Sequence, residues 1–265
     1  MNYLTNVVFN KDEGNLVEHH VRIHHYLGVE KTIIYDRSTI APLPEDIFRG
    51  RDDVEVIKYP TDDNHNQRLC FRDACQYLSG KSHWVIFNDI DEVHVPIKTN
   101  DLRAALQAYE QYSSVGWNWK CVGSNGYEQE PDEPYLAFSR RARDEHYNNR
   151  HIKSILKPDR CQYVMWENPH VAILQQGNYQ VNDRMQLMVG PFNFPATYDN
   201  GAVYHYFTRS KEWWMKKISR VRADTNTPGS EIYSAEQFDR EQKELNEIED
   251  YTVANIRRKM IKEGK

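Results

Sequence analysis

The sequence predicts an α/β fold, a central mixed sheet flanked by helices, and two observations support the prediction. Segments rich in β-forming residues alternate with helical segments over the first hundred residues, which is typical of sheets built from βαβ units. One segment, residues 84–87, is an unbroken apolar run, as in a central strand covered on both faces. A chain of 265 residues, of which 39% are hydrophobic, is long enough to bury a sizeable core.

The first half of the sequence has a regular pattern. Residues 3–9 are rich in β-forming side chains, and residues 16–27 carry apolar side chains at helical spacing, so the chain is predicted to begin with a strand and a helix. The same criteria predict strands at 31–35, 54–59 and 84–87, and helices at 66–78 and 102–112.

Beyond this point the pattern changes to short alternating stretches joined by long polar loops. Such stretches predict antiparallel or mixed strands, and irregular loops of this kind often form a ligand-facing surface. The predicted strands are 115–119, 136–140, 152–156, 164–166 and 202–207.

The tail from Ser234 is predicted to form one long helix. Seven acidic residues at positions 236–250 precede five basic residues at positions 257–265, the order that a helix macrodipole favours. We therefore expect a single domain at residues 1–230 and a helical extension at residues 231–265. A packed amphipathic helix is the simpler interpretation, and contact of its basic end with an anionic membrane or partner is the alternative.

Composition argues against several classes of protein. The 34 Lys and Arg against 39 Asp and Glu give a net charge of −5, which argues against a nucleic-acid-binding surface. The longest purely aliphatic or aromatic runs have four residues, far fewer than the roughly 20 that cross a bilayer. The first six residues lack the features of a secretory signal. The expected location is the cytoplasm, with any membrane contact peripheral and on the inner face.

The most informative segment is the acidic end of the predicted strand at 84–87. Asp89 and Asp91 alternate along the chain, so their carboxylates are expected to project from the same side, close enough to share a divalent cation. The carboxyl end of a parallel strand is where open α/β sheets bind ligands. Carboxylate ligands suit Mg²⁺ or Mn²⁺ that bridges the phosphates of a nucleotide.

A series of short motifs resembles, in the same order, the family 2-like and family 92-like glycosyltransferases. Those proteins have K-N-E, L-G-V, Y-D-N-S, W-hydrophobic-D-x-D-E-F, F-G-S-S-G, K-S and H-Y motifs. Each motif alone is weak, but the ordered set is specific and covers roughly residues 5–222. The matching segments are residues 10–13, 27–29, 34–38, 84–92, 122–126, 153–155, 169–170 and 205–210.

The resemblance implies a GT-A fold, that is, a Rossmann-like nucleotide-sugar-binding sheet with a less regular acceptor side. It also implies a metal-dependent, inverting enzyme of the hexosyltransferase type that uses a UDP-sugar and a glycan or glycolipid acceptor, as in polysaccharide biosynthesis. By this resemblance, Asp12 or Glu13 and Asp36 contact the uridine. Asp89 and Asp91 hold Mn²⁺ or Mg²⁺ and the ribose and diphosphate of the donor.

The resemblance also assigns roles to residues later in the chain. His205 is implied as a further metal ligand, because neutral imidazole suits Mn²⁺. Lys153, Arg209 and Lys211 are implied to offset the charge of the departing diphosphate. The chain departs from the family pattern at five positions, which leaves the donor less well defined than the fold: Asp12, Arg37, Val93, Val122 and Asn125.

Inverting transfer needs a base that takes a proton from the acceptor hydroxyl. The acidic loop at residues 127–134 follows the glycine-containing turn and supplies the first candidates, Asp132 and Glu128. Glu167 and His170 are further candidates.

Aromatic and histidine side chains supply weaker signals. Trp117 and Trp119 alternate on a predicted strand, so either is a candidate for stacking on an acceptor sugar. His20 and His24 are four residues apart on a predicted helix, the spacing of some zinc ligands. Because no HExxH motif accompanies them, a surface or capping role is the preferred interpretation.

Two other functions are consistent with these residues. A nucleotidyltransferase that acts on sugar phosphates also uses carboxylate-held Mg²⁺, but it normally has a glycine-rich loop after the first strand, where residues 10–15 contain one glycine. The other alternative is a non-catalytic module that binds nucleotides or glycans.

Overall fold

The computed structural model describes residues 1–14, 16–40, 42–44, 46–58, 67–162, 168–222 and 227–265. It has the α/β architecture expected from the sequence, a curled mixed sheet flanked by helices. This arrangement is that of a Rossmann-like GT-A fold.

The described part of the chain contains seven α-helices and twelve strands, with short 3₁₀ turns between some of them. The helices are α1 (Leu16–Tyr26), α2 (Gln67–Leu78), α3 (Leu102–Leu106), α4 (Pro134–Ala137), α5 (Lys211–Ser219), α6 (Ala235–Leu245) and α7 (Thr252–Lys262). The strands of the first half are β1 (Asn2–Asn10), β2 (Lys31–Asp36), β3 (Val54–Lys58), β4 (Ser82–Asp89), β5 (Glu92–Pro96) and β6 (Ser114–Cys121). Those of the second half are β7 (Arg140–Arg141), β8 (Ile152–Leu156), β9 (Gln180–Asn182), β10 (Leu187–Met188), β11 (Gly201–His205) and β12 (Ile248–Glu249).

Eight strands cross the main sheet in the order β10, β9, β6, β8, β4, β1, β2, β3. Strands β3, β2, β1 and β4 run parallel to one another, and β8 is antiparallel to both β4 and β6. Strand β11 attaches parallel to β6 and antiparallel to β5. Strands β7 and β12 form a separate two-stranded sheet.

The parallel strands bring their polar carboxyl ends to one edge of the sheet. Phe9 of β1 pairs with Asp89 of β4, and Asn10 of β1 pairs with Asp36 of β2. Acidic residues from separate strands therefore lie along the edge where the sequence predicts ligand binding.

The core covers both faces of β4, which explains its apolar run, and β6 is buried along its whole length. Trp84 of β4 and Trp117 of β6 have no exposed surface. Trp117 packs against Gly201 of β11, where an added Cβ would lie 2.2 Å from the indole ring. Only glycine allows this close approach, so Trp117 and Gly201 together set the position of β11.

Two predicted elements differ from the structure. Residues 136–140 were predicted as a strand, but α4 extends to Ala137 because Pro134 occupies the first helical position, where its missing N–H costs nothing, and of the predicted residues only Arg140 lies in a strand, β7. The tail was predicted as one helix, but α6 ends at Leu245 and β12 separates it from α7. The strand predicted at 164–166 lies outside the described residues.

Helices α6 and α7 pack on the rest of the molecule. Leu245, Val253 and Met260 belong to the main buried hydrophobic cluster. The guanidinium of Arg257 on α7 donates to both carboxylate oxygens of Glu133, at 3.0 and 2.7 Å. The division into residues 1–230 and 231–265 stays a prediction. Among the described helices, none has the length and apolar character needed to span a bilayer.

Candidate active site

A cleft lies at the carboxyl edge of β1 and β4. It contains about 970 Å³ of empty space, counted out to its mouth. Its described walls carry three carboxylates, four cationic side chains and two imidazoles, together with aromatic and apolar groups. The lining residues are Phe9, Lys11, Glu13, Gln67, Asp89, Ile90, Asp91, Trp119, Pro169, His170, His205, Phe207, Lys217, Arg220, Val221, Arg222 and Tyr233.

Strand pairing brings Asp91 and His205 together in this cleft. Strand β11 pairs with β5 in a register that places His205 opposite Glu92. The backbone N–H of Tyr206 also donates to the carbonyl oxygen of Asp91 at 2.8 Å. As a result, Nε2 of His205 lies 3.6 Å from Oδ2 of Asp91, although the two residues are distant in sequence.

Lys217 of α5 supplies a positive charge at the same carboxylate. Its Nζ lies 3.2 Å from Oδ2 of Asp91 and donates to the carbonyl oxygen of Phe207 at 2.9 Å. Burial opposes the charged form of Asp91, yet Lys217 and His205 hold the pKa of this carboxyl well below its ordinary value. Asp91 is therefore a buried anion that faces two nitrogen groups.

Asp89 lies on the same cleft but is bound by protein groups. Nζ of Lys153 lies 2.6 Å from Oδ2 of Asp89, and Nε2 of Gln67 donates to Oδ1. Oε2 of Glu92 accepts from the backbone N–H of Asp89 at 3.0 Å and lies 3.3 Å from the same Nζ. The two acidic residues of the motif therefore have different partners. Asp91 faces His205, whereas Asp89 is held by Lys153.

Burial affects the protonation of Lys153 and Glu92, the two groups next to Asp89. Burial alone would lower the pKa of Lys153, but the carboxylates of Asp89 and Glu92 raise it above its ordinary value. Burial raises the pKa of Glu92 well above its ordinary value, against the effect of Lys153. Lys153 has no exposed surface and lies behind Asp89, outside the described lining of the cleft.

The cations on the cleft wall are not those that the sequence predicted. Lys217 and Arg220 follow the N-cap Ser210 of α5, and Lys11 and Arg222 lie on the same wall. Sequence reasoning missed all four. Lys217 lies on α5, whereas Arg220 is the extended residue that caps its end, so no helical spacing in the sequence links the two.

Arg209 is almost fully buried and bridges two glutamates. Its guanidinium lies 3.0 Å from Glu13 and 2.6 Å from Glu130, and it stacks 3.7 Å over the ring of Trp213. Arg220 lies 2.7 Å from the other oxygen of Glu13. Glu13 is therefore held between two guanidinium groups at the cleft wall, and Arg209 supports it from behind.

The two other predicted uridine contacts, Asp12 and Asp36, accept hydrogen bonds from neighbouring protein groups. Oδ1 of Asp12 accepts from the N–H groups of Thr39 and Ile40, at 3.0 and 2.7 Å. Asp36 is buried and accepts from Asn10 at 2.8 Å and from the backbone N–H of Leu43 at 3.1 Å. Both carboxylates shape the loop after β2, and their contact with a nucleotide stays a prediction.

The acidic loop at 127–134 uses its carboxylates in surface and structural ion pairs. Glu128 and Asp132, the first candidates for the base, are exposed and absent from the described lining of the cleft. Glu128 lies 3.4 Å from Lys211, which is itself exposed. Glu167 lies outside the described residues. The structure therefore places His170, alone among the described base candidates, on the cleft wall.

An aromatic cluster lines the cleft next to His205. The indole of Trp119 lies 4.1 Å from the ring of His205 and 5.1 Å from that of His170, and it stacks on His151 at 4.6 Å. Trp117 is in the core, so Trp119 is the tryptophan of the predicted pair that reaches the cleft.

The surface or capping role expected for His20 and His24 is wrong. Both are fully buried, because α1 packs its histidine face against the carboxyl end of β4 and the beginning of β5. His20 contacts the carbonyl oxygen of Ile90 and the side chain of Asn6, and His24 contacts Asn88. These bonds fix the backbone that leads into Asp91.

Comparisons with known proteins give one family. The model of glycosyltransferase family 92 matches residues 4–263. No curated protein matches the chain significantly. Among solved structures, the chain is similar to a putative glucose-1-phosphate thymidylyltransferase from Bacillus anthracis in complex with a sucrose, at 10% identity and a TM-score of 0.31. That match covers 58% of this chain and 64% of the other, so it spans less than two thirds of the length of that structure.

Proposed function

This chain belongs to glycosyltransferase family 92, and we propose that its cleft binds a UDP-sugar beside a divalent cation and transfers the sugar to a glycan or glycolipid acceptor. The observation that carries the proposal is the meeting of Asp91 and His205 in a cleft that also holds Lys217 and Arg220. Side chains that can bind a metal ion, next to cationic side chains, suit a diphosphate that binds the same metal ion.

The donor set at Asp91 fits such an ion. In the described residues, no group of three or more His, Cys, Asp or Glu side chains could hold a metal alone. A Mg²⁺ ion in a phosphate site typically takes one or two carboxylates and completes its shell with phosphate oxygens and water. Asp91 and His205 supply one carboxylate and one imidazole, 3.6 Å apart, which suits Mn²⁺ or Mg²⁺ bound together with a diphosphate. When bound there, the ion would neutralise charge on the leaving diphosphate.

The cationic residues of the wall would serve the same leaving group. Lys217 and Arg220 face the cleft from α5 and the turn after it. Preorganised cations are effective where charge develops, because they need no rearrangement during the reaction. Glu13, which Arg209 supports from behind, would hold the guanidinium of Arg220 in position.

We propose His170 as the base for inverting transfer. Its Nδ1 lies 2.8 Å from the carbonyl oxygen of Ile152, which assigns the proton to Nδ1 and leaves Nε2 as the acceptor. Burial, and then Lys153, hold the pKa of His170 well below its ordinary value. The ring is therefore neutral at pH 7, with the lone pair of Nε2 free to accept the proton of an acceptor hydroxyl, and the lowered pKa makes it a weaker base than an ordinary imidazole.

The direct test measures Mn²⁺-dependent UDP binding and UDP release from a panel of UDP-sugars. Asp91→Asn keeps the shape of the side chain but removes its charge, and both activities should fall to background. Asp239→Asn is the matched control, because Asp239 is exposed on α6, and it should behave like the natural protein. Full activity in Asp91→Asn would contradict the assignment.

The same experiment separates the alternatives. A nucleotidyltransferase would instead release pyrophosphate from UTP and a sugar phosphate. A binding module would bind UDP without releasing it from any UDP-sugar. Transfer with His170→Ala at the natural rate would exclude His170 as the base while leaving the donor site intact.

A further inference from the structure

Arg150 has an unusual environment next to the aromatic wall of the cleft. Its guanidinium stacks between two aromatic rings, 3.7 Å from the ring centre of Tyr147 and 4.4 Å from that of Phe192. Within the described part of the chain the side chain makes no ion pair, and its Nε is buried without a hydrogen-bond partner. A buried donor without a partner is costly. The guanidinium of Arg150 is therefore a cation available to a ligand.

The stacked group is connected to the cleft through ring contacts. The ring of Phe192 meets that of His151 edge-on at 4.8 Å, and His151 stacks on Trp119 at 4.6 Å. Trp119 in turn lines the cleft. A continuous aromatic path therefore leads from the proposed donor site to Arg150.

The backbone holds this path in place. The carbonyl oxygen of Arg150 accepts from the backbone N–H of Asn193 at 2.8 Å, and the side chains of Asn118 and Asn193 bind each other at 2.6 Å. The segment that carries Phe192 is thus tied to the segment that carries Arg150. A site fixed before a ligand arrives loses less entropy on binding.

We propose that Tyr147, Arg150, His151 and Phe192 form an acceptor subsite for a saccharide that carries an anionic group. Aromatic rings offer flat apolar faces on which sugar rings stack, and Phe192 and Tyr147 keep 44% and 64% of their surface exposed. The guanidinium of Arg150 offers paired N–H groups in the geometry that carboxylate and phosphate accept. The inference rests on the proposed function, because it assigns this surface to the acceptor of the same reaction.

The test is binding of acceptor fragments, measured by calorimetry without a donor. The probes are methyl glucuronide, glucose 6-phosphate and methyl glucoside, which share one sugar ring and differ in charge. Both charged probes should bind the natural protein about tenfold more tightly than methyl glucoside, the difference expected from one charge-assisted contact. Comparison of the two charged probes shows whether carboxylate or phosphate is preferred.

Variants locate the effect. Arg150→Gln should abolish the preference for charged probes, and Arg150→Lys should keep part of it, because a lysine carries the charge without the paired donors. Phe192→Ala should weaken all three probes alike. Arg258→Gln is the matched control: Arg258 also lies over a tyrosine ring, that of Tyr251 at 5.8 Å, on α7, and its loss changes net charge equally. Circular dichroism checks that each variant is folded.

Two results would overturn the proposal. One is the lack of an Arg150-dependent preference for charged probes, seen either as equal binding of all probes to the natural protein or as a preference that survives in Arg150→Gln. The other is Arg150-dependent binding to phosphatidylglycerol vesicles with none to the sugars, which would make this surface a lipid contact. Either result leaves the donor test at Asp91 unaffected, because these measurements use no UDP-sugar.

Discussion

Lys153 Nζ lies 2.6 Å from Oδ2 of Asp89, and the lysine has no exposed surface. A buried ammonium needs a partner because removal of a charge from water is costly. Here Asp89 supplies the opposite charge, and the buried Glu92 lies 3.3 Å from the same ammonium. The pair therefore fixes one carboxylate of the acidic motif in place and leaves Asp91 as the one that faces His205.

Replacement of Lys153 by Met should destabilise the protein strongly. The change leaves Asp89 and Glu92 without their shared cation, and loss of one partner of a buried ion pair typically costs about 3–5 kcal/mol. Urea unfolding measures the loss. Lys31→Met is the control, because Lys31 pairs with Glu55 at the surface, where a pair contributes about 1 kcal/mol or less. Equal losses in the two variants would show that burial of Lys153 is unimportant.

Lys217→Gln should strengthen binding of Mn²⁺ alone and weaken binding of UDP alone. The ammonium 3.2 Å from Asp91 competes with a metal ion for the same carboxylate, so its removal should lower the Mn²⁺ dissociation constant about tenfold. Electron paramagnetic resonance of free Mn²⁺ measures the first effect and calorimetry the second. Lys216→Gln, which removes an exposed lysine paired with Glu212, should change neither. Unchanged Mn²⁺ affinity in Lys217→Gln would refute the competition.

Stability should fall as the pH drops from 6.5 towards 4. Burial lowers the pKa of His24 to about 4 and holds the pKa of His20 and of His94 well below the ordinary value. Between the ordinary and the lowered pKa, the unfolded chain binds more protons than the folded one, so protonation favours unfolding. For His24 alone this amounts to roughly 2 kcal/mol between pH 7 and pH 5.

Urea unfolding at several pH values in the natural protein and in His24→Gln measures this effect. The variant should lose part of the slope between pH 6.5 and 4. Glu92, whose pKa is raised, contributes a slope of opposite sign in both proteins, so the comparison cancels it. Identical slopes would mean that His24 does not titrate as proposed.

Gly201→Ala should destabilise the protein by about 3 kcal/mol, near the upper end for overpacking. The new Cβ would lie 2.2 Å from the indole of Trp117, so β11 must move. Because β11 ends at His205, Mn²⁺-dependent UDP binding should fall as well. The double variant Gly201→Ala, Trp117→Phe makes room for the methyl group and should recover part of both losses. No recovery would indicate a cause other than this contact.

Local patterns predicted the parallel half of the sheet well. The helix predicted at 16–27 and the strand at 31–35 match α1 and β2 to within a residue, because periodicity and a terminal glycine are local signals. The strand β5 was missed. It directly follows Asp91 and is stabilised by pairing with β11, so its formation depends on a segment more than a hundred residues away.

The candidate site was predicted only in part, again because its contacts join segments that are distant in sequence. Alternation of Asp89 and Asp91 placed both on one cleft, but their different partners, Lys153 and His205, come from β8 and β11. The acidic loop after the glycine-containing turn suggested bases, whereas the structure uses Glu130 to hold Arg209. Which carboxylate faces solvent and which neutralises a buried arginine depends on packing that no short pattern encodes.

The packing of α6 and α7 against the rest of the protein determines where the chain can be shortened or extended. A chain cut after residue 230 would lose Leu245, Val253 and Met260 from the central apolar cluster and would leave Glu133 without Arg257. Such a fragment would expose the apolar surface that α6 and α7 cover in the intact chain, and it would aggregate. Residues 261–265 are exposed and Met260 is buried, so a purification tag added beyond Lys265 would leave the fold intact, whereas a truncation that removes Met260 would not.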